Sequence, residues 1–453
     1  MIRALKLAAL GTAMLQQGAA VGTGDNGTPP PAPDSYWQVS PALDYSDELY
    51  AGWPQLEVDG EAVVYRGTDF NRTYAHHPEL HYDGRRVYLQ YSTSPVDEDA
   101  TGQEAWLSTS TDGGRTWSPG ISILPAALLP NQSSPETYAY WCDRRIYQRA
   151  LHPAAWVPVP GPRGGSSTLY AVSQTTIRYC WGEDAKGTKA AGRVARAIDR
   201  DGRPVGDPCW SSINEEWAHE VEYPRTVYGT RYGMRLCPHG HAAQIEAYLA
   251  RPARVPAWET WLYQTKLYAA DDEHNMQEPT HAVWFDGGSG GGRQQHGGHW
   301  ERFWRDISDR DINGQQVWVE HSSSATGRDW FPRVRQQRGN RIYATDIPDV
   351  GSKQHLGVLP GGDRVLIHNP RNNSERIRQP LTIATSRGGD RAYTGIGVLK
   401  TDANTTIVPD TRGLKRLMFS YPTAVMVDGK LVVSYSENKE NIWVSIVDPK
   451  KLL

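Results

Sequence analysis

Ser110-Thr111-Asp112-Gly113-Gly114-Arg115-Thr116-Trp117 is the stretch that decides the fold of this chain. Ser and Asp carry short oxygen-bearing side chains that take up the backbone N–H groups of a tight turn. The paired glycines supply backbone angles closed to other residues. Trp117 brings a large ring back to pack beneath. The octapeptide therefore reads as a hairpin turn with a structural job. Upstream, Arg86-Val87-Tyr88-Leu89-Gln90-Tyr91 reads as a strand, and Asp97-Glu98-Asp99 as an acidic loop. Further upstream, Tyr74-Ala75-His76-His77-Pro78 sets two adjacent histidines before a proline. Neighbours in a regular strand face opposite sides, so only one of the two is expected to point into a pocket.

The same rhythm continues along the chain. Glu61–Tyr65, Thr168–Val172, Arg341–Ala344, Arg364–Ile367 and Leu431–Tyr435 are short β-like runs. Asp83-Gly84, Asp201-Gly202 and Asp428-Gly429 sit where hairpins reverse. Strongly periodic helices are scarce, so the pattern is all-β: a sandwich, barrel or propeller. No interior linker divides residues 36–453, which read as one domain. Glu215–Leu262 reads as long loops or an insertion, and Gly287–Gly298 as a surface loop. Residues 1–20 carry a basic start, a short apolar run and small residues at Gly18-Ala19-Ala20, the pattern of a signal peptide. Residues 21–35 are a Pro/Gly-rich spacer. A secreted, extracellular monomer is expected. Sequons at Asn26, Asn71, Asn131, Asn372 and Asn404 fit that route.

The net charge of −3 over 453 residues gives no basic field for nucleic acid. No apolar stretch is long enough to span a membrane. The 17 Trp and 23 Tyr against 5 Phe favour rings with a polar handle, which suit stacking on sugars as well as sheet packing. Cys142, Cys180, Cys209 and Cys237 imply two disulfides in an oxidising compartment, with three connectivities open.

His76-His77-Pro78, the acidic loop with Gly102-Gln103, and the Ser110–Trp117 turn resemble, in this order, sialidase-like β-propellers that include polysaccharide lyases. In them the turn is known as the Asp-box. Gly192–Arg196, Glu278-Pro279-Thr280, Asp346–Asp349, Arg378–Leu381, Tyr421–Ala424 and Val433–Ile442 continue the resemblance over roughly 60–447, interrupted over 212–275. The chain looks closest to secreted fungal L-rhamnose-α-1,4-D-glucuronate lyases, and more distantly to propeller-type ulvan lyases. The resemblance implies a seven-bladed propeller and β-elimination beside a uronic acid. It also implies an acidic, glucuronate-containing plant polysaccharide as partner, capped by terminal rhamnose.

That chemistry needs a cation on the uronate carboxylate, a base for the C5 proton and an acid for the leaving O4. His77, with His76 beside it, is the expected base. Arg149 is the carboxylate clamp that the resemblance implies, and Tyr138 or Tyr140 the phenol. Arg378 and Tyr421 are expected to reach substrate. Cofactors are not required for the chemistry. A structural zinc on His219, Cys237, His239 and His241 competes with a disulfide at Cys237, and calcium at the acidic loop is a further possibility. Two other readings stand beside the lyase. One is an exo-sialidase-like hydrolase, with a Tyr nucleophile assisted by Glu; its first arginine is replaced here by the His pair. The other is a carbohydrate-binding propeller without catalysis.

Overall fold

Short strands and Asp-Gly reversals build five sheets in the computed structural model of the chain, antiparallel but for one parallel pair, Lys266–Tyr268 with Gln336–Gln337. It describes residues 35–96, 98, 102–125, 148–161, 166–178, 189–213, 236–258, 266–269, 273–285, 298–308, 316–322, 336–337, 342–370, 378–388, 390–401, 407–408, 415 and 418–452. The chain opens with β1 (Gly60–Arg66). The first sheet takes β2 (Tyr74–Tyr82), β3 (Val87–Ser94), β4 (Glu104–Ser110) and β5 (Ile121–Leu124) in order. The second takes β6 (Gln148–Val159), β7 (Thr168–Arg178), β8 (Lys189–Ile198) and β9 (Pro204–Ile213). A helix, α1 (His241–Leu249), packs on β6 and β9.

The third sheet is the largest, with β10 (Lys266–Tyr268), β11 (Asn275–Gln277), β12 (Val283–Phe285), β13 (His299–Asp306), β14 (Gln316–Ser322), β15 (Gln336–Gln337) and β16 (Ile342–Pro348). The fourth holds β17 (His355–Val358), β18 (Arg364–His368), β19 (Leu381–Ser386) and β20 (Gly395–Lys400). The fifth holds β21 (Phe419–Val427), β22 (Lys430–Glu437) and β23 (Asn441–Val447), and takes β1 as its outermost strand. Gly60 lies opposite Ile446, so the two ends of the chain close one ring.

The described residues thus form a five-bladed β-propeller, which corrects the expected seven blades. The chain goes into larger blades rather than more of them. The third sheet has seven strands, and β6 and β7 run for 12 and 11 residues. Blade-opening strands pack on one another: β2 lies against β21 and β6, and β21 against β17. Between the fifth and first blades an apolar core forms. Ala75, Leu89 and Tyr91 meet Val427, Val432 and Val444 in one buried cluster, where each full side-chain burial is worth roughly 1.5–3 kcal/mol.

The Ser110–Trp117 turn joins β4 to β5 and is closed by its own side chains. Ser110 Oγ accepts from Gly114 N at 2.9 Å and donates to Asp112 Oδ1 at 2.7 Å. Asp112 Oδ1 also accepts from Arg115 N and Thr116 N at 3.1 and 2.9 Å, and its Oδ2 from the Thr116 hydroxyl at 2.6 Å. Partial desolvation works against the charge, yet these donors hold the Asp112 carboxyl down at about 2. Trp117 Nε1 bonds Gly114 O at 2.9 Å. Gly113 and Gly114 have φ of +74° and +94°, the left-handed values that the glycine pair anticipates.

Candidate active site

Three non-glycine residues with positive φ each stand immediately before a proline. They are His77 (φ +56°), Glu278 (+52°) and Tyr421 (+59°), before Pro78, Pro279 and Pro422. A left-handed backbone is costly for such side chains, on the order of 1–3 kcal/mol each, and persists only where the surroundings enforce it. In β2 and β21 the ladder register shifts at these points, between His76 and Glu79 and between Ser420 and Thr423. Each shift is a bulge that re-aims side chains. His77, Glu278 and Tyr421 come from three blades and gather in one place, linked by ring contacts and hydrogen bonds.

At its centre the Tyr421 hydroxyl meets both carboxylate oxygens of Glu278, each at 2.9 Å. Arg305 Nη1 donates to the same hydroxyl at 2.8 Å and to Glu278 Oε2 at 2.7 Å. Arg305 Nε is anchored on Gly351 O at 2.7 Å. Burial pushes the Tyr421 phenol up and Glu278 adds to this, while Arg305 pulls the other way. The phenol is therefore protonated at neutral pH, with a carboxylate in place to take its proton. Trp258 stacks on the Tyr421 ring at 5.9 Å, and its Nε1 is fixed by Pro153 O at 2.8 Å. The Arg378 guanidinium covers the Tyr421 ring at 5.3 Å. It is buried, its Nη1 has no hydrogen-bond partner among the described residues, and desolvation lowers it to about 10. A buried guanidinium with an unused donor suits an anionic ligand.

The histidines line the adjoining wall. The bulge cancels strand alternation, so both rings point the same way, 4.3 Å apart. This corrects the expectation that only one faces the site. Both are at most 2% exposed. His76 Nδ1 lies 2.6 Å from Ser436 Oγ, and its ring is 4.1 Å from that of Tyr421. Burial, then His77 and the cations Lys439 and Arg378, keep the His76 imidazole neutral. His77 Nδ1 lies 2.9 Å from Ser92 Oγ, and its Nε2 faces Glu98 Oε1 at 3.6 Å. Glu98 also accepts from Tyr74 and Lys439. His152, before Pro153 in the bulge of β6, brings its ring to 4.9 Å from His77. Behind Arg305 sits Asp349, fully buried, with Oδ2 accepting from Gln354 at 2.7 Å and Oδ1 without a partner. Desolvation pushes its carboxyl up to about 7.

The structure thus brings together His76, His77, Arg378 and Tyr421 of the expected residues. Tyr138, Tyr140 and His219 lie outside the described residues, as do Cys142, Cys180, the spacer and the signal-like start. Arg149 is in β6 opposite Ile177, with its side chain outside the description. The zinc set is not assembled. Cys237 is bonded to Cys209 and has no thiolate to offer, and His241 Nδ1 is engaged by the Tyr170 hydroxyl at 2.7 Å. Sequence reasoning missed Glu278, Arg305, His152, Trp258 and Asp349 as site residues. Recurrence of X-Pro at blade starts would have pointed to Glu278 and His152. Nothing local marks Arg305, which earns its place only through the fold.

Comparison with known proteins agrees on the fold. Residues 64–231 match the family described as BT_1020-like, N-terminal beta propeller. A solved sialidase superposes with a TM-score of 0.59 at 18% identity, covering 91% of this chain and 35% of its own. The chain thus spans about a third of that sialidase's length. A Trypanosoma rangeli sialidase in complex with 2,3-difluorosialic acid gives 0.42 at 9% identity, covering 88% and 60%. An α-L-arabinofuranosidase from Podospora anserina gives 0.33 at 10% identity, covering 88% and 97%. No curated protein matches the sequence. The chain is a β-propeller whose fold is similar to that of the solved sialidase.

Proposed function

We propose that this site cleaves a glycosidic bond of an acidic sugar, with Tyr421 as nucleophile and Glu278 as its base. The observation that carries this is the Tyr421 hydroxyl held by both Glu278 oxygens and by Arg305. A phenol is a poor nucleophile until its proton leaves, and Glu278 is within reach to accept it as the Tyr421–sugar bond forms. That proton passes through solvent to the leaving oxygen as the glycosidic bond breaks, and water then releases the sugar from Tyr421 and returns a proton to the phenol. Arg305 then stabilises the developing phenolate. A Tyr nucleophile is the sialidase variant of retaining glycoside hydrolysis. Arg378, buried and short of an anion, supplies the receptor for a sugar carboxylate.

A second reading is elimination beside a uronate, favoured by the neutral His76 ring with its bare Nε2. There His76 takes the C5 proton, Tyr421 protonates the leaving oxygen and Arg378 neutralises the carboxylate. One assay parts them. The protein is incubated with sialosides and with rhamnose-capped glucuronate polysaccharide, following both sugar release and the ultraviolet absorbance of an unsaturated uronate. Sugar release without absorbance, and a covalent adduct on Tyr421 from a fluorinated acidic glycoside, is the expected result. Absorbance that grows with cleavage would replace hydrolysis by elimination.

A further inference from the structure

We propose that His76, His77 and Glu98 bind one divalent transition-metal ion, of the zinc class. This stands independently of the cleavage chemistry above. The three side chains each offer a ligand atom, and these atoms lie within 4.8 Å of one another. Two imidazoles and a carboxylate form a nitrogen-rich set that suits zinc rather than calcium or magnesium.

Ser92 Oγ can accept from His77 Nδ1–H at 2.9 Å while donating to His76 O at 3.0 Å. Ser436 Oγ can accept from His76 Nδ1–H at 2.6 Å while donating to Ser420 O or Ser420 Oγ, at 3.3 and 3.2 Å. In that tautomer both rings carry their lone pair on Nε2, the form a metal ion takes. Second-shell bonds of this kind set the tautomer of metal-binding histidines. Among the described residues His76 Nε2 is buried and without a hydrogen-bond partner, a costly state for a polar atom. His77 Nε2 and Glu98 Oε1 are 3.6 Å apart. Two ligands about 2.1 Å from a shared tetrahedral zinc stand about 3.4 Å from each other. Lys439 and Tyr74 bond the same carboxylate and orient it. Lys439 and Arg378 also repel a cation, so binding is weaker than the ligand set alone would give.

A second cluster sharpens the choice. His299, Glu301 and His321 also lie close together, but their polar atoms are engaged. Glu301 accepts from Arg364, Tyr36 and His321, and His299 Nε2 from Arg391. That cluster ties Tyr36, β13, β14 and β18 together and offers no vacant lone pair of the kind His76 presents.

The test uses the tag-free full chain, stripped with a chelator and dialysed. Zinc is titrated by calorimetry and the bound metal counted by mass spectrometry; cobalt(II) is added in parallel and its visible spectrum recorded. Zinc in a single equivalent, lost in His76→Ala and in His77→Ala, weakened at least tenfold in Glu98→Gln and kept in His299→Ala, is the expected result. Should the histidine variants misfold, the wild-type spectrum decides: intense tetrahedral cobalt bands support the site. Absence of those bands, no zinc uptake by wild type, or uptake that survives both histidine substitutions overturns it. Calcium binding in place of zinc overturns it equally. Loss of glycan cleavage in Tyr421→Phe with zinc uptake intact would show that the two proposals rise and fall separately.

Discussion

The first blade carries two special backbone segments at opposite ends, and they are opposite in kind. The strand register puts Val87 opposite Ser110 and Tyr74 opposite Ser94, so the Ser110–Trp117 turn and the His76–Pro78 bulge are a strand's length apart. In the turn the unusual dihedrals fall on glycine, and Ser110 and Asp112 are saturated by local donors and acceptors. In the bulge they fall on a bulky histidine, next to a ring nitrogen with no partner among the described residues. The turn is at rest. The bulge holds strain and unmet hydrogen-bonding capacity, which persist where a ligand supplies what is missing.

The largest effect that would break this contrast is on catalysis. Tyr421→Phe keeps the ring on Trp258 and removes only the hydroxyl, so turnover should fall by about 10²–10⁴-fold with the unfolding midpoint little changed. Asp112→Ala, measured beside it, should leave turnover within about twofold, since no substrate contact depends on the turn. Equal losses in the two variants would erase the division between a working end and a structural end.

Next comes pH. The folded Asp349 carboxyl stands at about 7, whereas an unfolded one is near ~3.9. The folded state therefore binds the proton more tightly. This group is neutral to stability below about pH 4, costs progressively more as pH rises to about 7, and is constant above. Asp349→Asn removes that cost. Its stability relative to wild type should rise across the window to something on the order of 4 kcal/mol at pH 8, read from urea unfolding at pH 5 and pH 8. A gap that shrinks as pH rises would show Asp349 to be ionised and paired instead.

The smallest effect sharpens the other side. Asp112→Ala deletes acceptors on an exposed turn, so the loss of stability should be about 1 kcal/mol. Chemical denaturation measures it. A loss several times larger would mean that the turn nucleates its blade rather than finishing it.

These two segments also mark how far the sequence could be read. Strands such as Arg364–Ile367 and Leu431–Tyr435, the Asp-Gly reversals and the octapeptide are local devices, and the structure contains them where expected. Blade number is not local. It depends on how many strands each sheet recruits, and the third sheet recruits seven. The site was half legible. His76, His77, Arg378 and Tyr421 stood out as chemistry beside proline or in ordered motifs. Glu278 carried the same X-Pro sign without being read as a partner for Tyr421. Arg305 lies in Arg302-Phe303-Trp304-Arg305, where only the alignment of β13 with the Tyr421 bulge gives it a role. The bulge also defeated the alternation rule, because an inserted residue resets which face the next side chain takes.

The ring closure carries a consequence for how the protein is made. β1 is the outer strand of the fifth blade, and its partner β23 ends at Val447. During synthesis β1 emerges before its partner β23 and waits for it. Four blades' worth of chain must be extruded while β1 keeps an open ladder edge, the condition under which strands pair wrongly with neighbouring chains. Exposed glutamate and arginine at the ends of β1, Glu61 and Arg66, put charge on that waiting strand. β1 and the Tyr421 strand β21 are the two edges of that blade, so the late-closing strand and the site strand are joined only through β22 and β23.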